Sequence, residues 1–199
     1  MKKSYSHYVF EDLADLGISV TTTQLFNKIL PLKPTAWILE TLAFNKTLPM
    51  STEKARSELL IMPILLELKR QNILKITLFS GYKLDVDASR GLRGFCDFLI
   101  STKPQAPFLE SPIIAVVEAK QDKDLIEAAP QCIAEMYAAQ LFNEKHKTQV
   151  PVIYGTVTSG YEWIFMKLEN GQVIIDTERY TIKDLENLLG IWQTIIAEF

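Results

Sequence analysis

SPIIAVVEAK, residues 111–120, decides how the rest of the chain is read. Ile113 to Val117 are a near-continuous apolar run, the pattern of a strand covered on both faces. Glu118 and Lys120 stand two apart at its end. Side chains alternate along a strand, so both share a face with Ile114 and Val116 while Ala119 points away. A carboxylate and an ammonium on such a strand cost several kcal/mol each if left alone, so they must pair or hold something.

Moving upstream, LRGFCDFLI (residues 92–100) and ILKITLF (residues 73–79) read as two more strands, with Gly81, Ser89, Gly91 and Gly94 among the breaks. Asp97 shares a face with apolar Phe95 and Leu99, which turns a third charge toward the interior or a cleft. Before them, Ser51 or Thr52 can cap a helix that carries Glu53 in its first turn and runs to about Gln71. Its apolar residues cover more than one face, so it should be central, and Pro63 should kink it or tighten one turn. Residues 1–50, with Pro31, Pro34 and Pro49 between helical pieces such as TAWILETLAF, read as a helical accessory segment on a main domain of residues 51–199.

Downstream, Asp124 can cap a helix reaching about Phe142. VPVIYGTVTS, YEWIFMKLE and GQVIIDTER then read as strands, the last two joined by an Asn170-Gly171 hairpin turn. A closing helix carries an apolar stripe through Leu185, Leu188, Leu189, Trp192, Ile195 and Ile196. The expected architecture is mixed α/β: a central mixed sheet flanked by helices, in the order α-β-β-β-α-β plus a hairpin and a helix.

The chain has 199 residues, 48% of them hydrophobic and 23% charged, the balance of a single globular domain. No apolar run approaches the length needed to span a bilayer and the start lacks a signal-peptide pattern, so a cytoplasmic protein is expected. Cys96 and Cys132 lie in apolar stretches, as buried reduced thiols do. His7 and His146 sit in polar surroundings and offer no triad or zinc site, and there is no phosphate-binding glycine loop. The net charge of −3 argues against coating nucleic acid through a broad basic surface.

Gly94-Phe95-Cys96-Asp97 and Val117-Glu118-Ala119-Lys120 together resemble the core motif of the PD-(D/E)XK nuclease superfamily, an acid near one strand and Glu/Asp-X-Lys on the next. The resemblance covers roughly residues 53–156. Cys96 stands where the family has proline. Branches resembling type I restriction subunits and RecB-like nucleases add a helix glutamate, matched by Glu58, and a later glutamine, matched by Gln131. Where the RecB-like branch has a tyrosine four residues after that glutamine, this chain has Glu135, and its nearest tyrosine is Tyr137.

The resemblance implies a restriction-endonuclease-like core and hydrolysis of DNA phosphodiesters, DNA ahead of RNA. Asp97, Glu118 and the Ala119 backbone carbonyl would ligate Mg²⁺ or Mn²⁺, with Glu58 joining directly or through water. Lys120 would orient the water or stabilise developing charge, and Gln131 would support the site. Arg90, Arg93 and Lys123, with Lys103, are candidates for phosphate contacts. A site of carboxylates around a cation is acidic by construction, so the net charge does not oppose this reading. The alternative is a catalytically inactive nuclease-like fold, a nucleic-acid-binding or protein-interaction module in which Asp97, Glu118 and Lys120 only pair. Gln131 could equally make a structural hydrogen bond. A homodimer is the default assembly, and a partner protein the other option.

Overall fold

The computed structural model describes residues 3–121 and 125–199. The expected cap Asp124 and the candidate Lys123 lie outside them. In chain order the elements are β1 (Ser19–Thr23), α1 (Ala36–Asn45), α2 (Glu53–Arg56), α3 (Met62–Gln71), β2 (Thr77–Lys83), β3 (Phe95–Ser101), β4 (Ile113–Ala119), α4 (Ala129–Lys145), β5 (Val152–Thr158), β6 (Glu162–Glu169), β7 (Gln172–Asp176), β8 (Tyr180–Thr181) and α5 (Leu185–Ala197). The strands form one mixed eight-stranded sheet in the order β1-β7-β6-β5-β4-β3-β2, with β8 on β6. β4 and β5 are parallel, joined through α4, while β3 meets β4 antiparallel. Every residue of β4 and β5 is buried, as their apolar runs require.

Each sheet face has its own core. α4 covers one, packing Cys132, Ile133 and Met136 over Leu99, Val116 and Val157. α3 and α5 cover the other, with Leu65, Leu68 and Trp192 against Val117, Phe165 and Trp163. Asn170 and Gly171 both take positive φ, 50° and 76°, as a tight turn between β6 and β7 demands.

Three local expectations are corrected. Residues 1–50 are not only helical: β1 pairs in parallel with β7, and Tyr5, Leu13, Phe26 and Ile38 enter the two cores. SVTTT carries β-forming residues but no apolar alternation, so the strand was hidden. Around Pro63 the helix widens instead of tightening, through a π turn at Ser57–Ile61. Proline has no N–H to give the carbonyl four residues back, and Asn45 Nδ2 donates to that Leu59 oxygen at 2.8 Å. Finally, Ile114 does not share a face with Glu118. The β3–β4 register shifts between Ile100 and Ser101, which leaves Ile114 as an extra residue packed with Ala115 on the α3 and α5 side.

Candidate active site

The site forms where two central strands part. Phe98 and Val117 are the last opposed pair of β3 and β4 on that side, so Asp97 and Glu118 are the next residues in register. Asp97 Oδ2 accepts the Ala119 N–H at 2.8 Å, closing the gap the ladder leaves open. The N–H and C=O of one strand residue face the same edge, so the Ala119 carbonyl is directed to the Asp97 side as well.

Glu118 is 2% exposed. Its Oε1 accepts from Lys120 Nζ at 2.6 Å and from Gln131 Nε2 at 2.6 Å, while Oε2 is buried with no partner among the described residues. Burial, reinforced by the charge of Asp97, pushes Glu118 up to about 8 against the pull of Lys120. Asp97 is also raised by burial, partly offset by the Ala119 N–H. Burial pulls Lys120 down, but the adjacent Glu118 outweighs it and the ammonium ends up raised. The Glu118–Lys120 ion pair is therefore real in geometry but too weak to overcome burial of the carboxyl.

No family model, curated protein or solved structure matches the chain.

Two cavities flank this cluster. The larger, about 690 Å³, is lined by Lys120, Gln121, Gln131, Ser51, Arg56 and Tyr8, among others. The smaller, about 260 Å³, is lined by Asp97, Ala119, Glu58, Ser80 and Gly81 with others. Glu58 thus reaches the Asp97 side, but its side chain is 63% exposed and holds Lys54 Nζ at 3.3 Å. Glu53 lines both cavities, and its charge acts on Glu118 and Lys120. In sequence it is the first-turn acid of α2, five residues before Glu58 and ahead of the π segment.

Glu135 was the other residue missed. It is fully buried on α4, accepts from Gln131 Nε2 at 3.1 Å through Oε1, and leaves Oε2 unpartnered. Burial and the charge of Glu118 hold it well above the usual carboxylate range. The signal available was an acid one helical turn past Gln131 inside an alanine-rich stretch. The candidate arginines are tethered elsewhere: Arg90 Nε lies 2.7 Å from Asp87 Oδ2 and Arg93 Nε donates to the Lys3 carbonyl at 3.2 Å. Neither lines the two cavities.

Among the described residues no three His, Cys, Asp or Glu side chains stand together as a ready metal cage. The donors that do converge are Asp97, Glu118 and a backbone carbonyl, all oxygen, which suits a hard cation such as Mg²⁺ or Mn²⁺. The orphaned Glu118 Oε2 is the atom such an ion would satisfy, and a cation would also release the proton that burial holds on this acid. The residues therefore fit the group.

Proposed function

We propose that the chain is a metal-dependent nuclease that hydrolyses phosphodiester bonds of DNA on a restriction-endonuclease-like core, in the cytoplasm, where its free buried thiols Cys96 and Cys132 stay reduced. The observation that carries the reading is the pair of raised acids at the splayed strand ends, one oxygen of Glu118 held by Lys120 and Gln131 and the other without a partner. Contrast Glu67, a buried acid of α3 whose oxygens accept from Thr35 N at 2.9 Å, Thr35 Oγ1 at 2.8 Å and Gln71 Nε2 at 2.7 Å. Glu67 is finished as a structural acid, and Glu118 is not.

Asp97, Glu118 and the Ala119 carbonyl would hold Mg²⁺ or Mn²⁺, which when bound supplies Lewis-acid charge and a more acidic water. Lys120 does the rest from the protein side. Its side chain is 30% exposed and lines the larger cavity, so the ammonium can donate to a phosphate oxygen or orient the attacking water while Glu118 keeps it charged. Gln131 keeps Glu118 in place. Glu53 and Glu58 stand at the rim, where a further water-bridged contact to the ion would come from.

A second reading is a binding module in which the 2.6 Å Lys120–Glu118 pair is an end in itself. Incubation of single- and double-stranded DNA with Mg²⁺ or Mn²⁺ separates the two. The parent should cleave, EDTA should stop it, and Lys120→Ala and Asp97→Ala should each lose at least about 100-fold. Equal activity in parent and both variants would sink the mechanism. DNA binding without cleavage would favour the module.

A further inference from the structure

Helix α4 carries a second acid that the proposed reaction does not use. Glu135 is fully buried one helical turn beyond Gln131, and its Oε2 has no partner among the described residues. Methionine or leucine would fill such a place more favourably, because an unsatisfied buried carboxyl oxygen carries its full desolvation cost. What the acid does there is hold an amide. Gln131 has two N–H bonds, and its Nε2 reaches Glu118 Oε1 at 2.6 Å and Glu135 Oε1 at 3.1 Å. Once a cation has released the Glu118 proton, a flipped amide would set its carbonyl oxygen against a carboxylate, so Glu118 Oε1 must take one N–H while Glu135 Oε1 accepts the other. With Glu135 gone, the half-buried Gln131 is free to swing toward the larger cavity, which it lines.

We infer that Glu135 is a positioning residue: by anchoring Gln131 it keeps Glu118 Oε1 engaged and leaves Oε2 for the cation. The identity of that cation rests on the function proposed above. Titrating the full-length chain with Mn²⁺ by calorimetry, with the metal-free thermal midpoint measured alongside, tests the inference. Glu135→Met removes both the acceptor and the orphan oxygen. It should weaken Mn²⁺ binding by about 10- to 100-fold, as loss of a supporting partner does elsewhere, while the thermal midpoint holds or rises. Glu135→Gln keeps an acceptor for Gln131 and should bind close to the parent. Gln131→Met should match Glu135→Met, and the double variant should be no weaker than Gln131→Met alone.

Parent-like Mn²⁺ affinity in Glu135→Met would overturn the inference, as would a lowered thermal midpoint or failure to fold, since either marks a merely structural acid. A parent chain that does not bind Mn²⁺ at all overturns the proposed function and this inference together. That outcome is distinct from a parent that binds and a Glu135→Met variant that binds equally well.

Discussion

At the scale of single residues, the unusual feature is a buried acid whose proton is worth more to the folded chain than to the unfolded one. Glu118 has an ordinary value near 4.5 and is pushed up to about 8 by burial and by Asp97. Below about pH 4.5 it is protonated in both states and its contribution is fully present. Between there and about 8 the unfolded chain has released the proton and the folded chain has not, so stability falls as pH rises. Glu135, raised in the same direction, adds to the slope. Asp12, Asp85 and Asp87 are lowered by their hydrogen bonds and titrate below this window, so they do not mask it. The metal-free thermal midpoint should therefore drop by roughly 5 to 10 °C from pH 5 to pH 8, and Glu118→Gln should flatten the drop. A midpoint that climbs over this range would show that Glu118 is not held protonated. Mn²⁺ added at pH 8 should restore what was lost. Asp97, Glu118 and Lys120 were legible because strand alternation and spacing already put charge on apolar faces, whereas Gln131 stood out only through the family resemblance. Glu135 and Glu53 were not, because their importance depends on how close α2 and α4 come to the sheet, which no local pattern encodes.

At the scale of elements, close approach is set by small residues and by backbone groups finding partners. A Cβ at Gly155 on β5 would overlap Met136 Sδ and stand 3.0 Å from Cys132 Sγ, so the absence of a side chain there lets α4 seat Gln131 beside Glu118. Gly155→Ala should cost about 1–3 kcal/mol by overpacking, read by urea unfolding, and Met136→Ala in the same chain should recover part of it. Additive losses in the double variant would mean that the contact does not set the helix position. The π turn is a second case. Asn45→Ala should cost about 1–3 kcal/mol, since the Leu59 carbonyl abandoned by Pro63 would lose its donor. Sequence carried the proline but not its remedy, for Asn45 lies in another helix. It also missed the register shift at Ile114, because a continuous apolar run looks the same with or without a bulge.

At the scale of the whole molecule, the question is whether residues 1–50 are an appendage to a domain that begins at Ser51. The strands, helices and their order after Met50 were readable because apolar periodicity and turn residues agree there. Before it, sheet and core membership depend on contacts distant in sequence. β1 adds to the sheet through β7, more than 150 residues away in register, with Ser19 opposite Gln172 and Thr23 opposite Asp176. Phe26 packs edge-on to Phe165 at 5.8 Å and Tyr180 at 6.3 Å, and Glu67 is satisfied largely by Thr35. Tyr5 donates to the Leu84 carbonyl at 2.6 Å, and Tyr8 and Ser6 wall the larger cavity. Cutting at residue 50 would open both cores, leave Glu67 without two donors and remove one side of the candidate cleft. A fragment of residues 51–199 should therefore show no cooperative thermal transition, whereas the full chain should melt in one. Adding residues 1–50 as a separate polypeptide should restore both the transition and Mn²⁺ binding in the same titration, because core and cleft share those residues. A fragment that melts as cooperatively as the full chain would make the first fifty residues a true accessory segment.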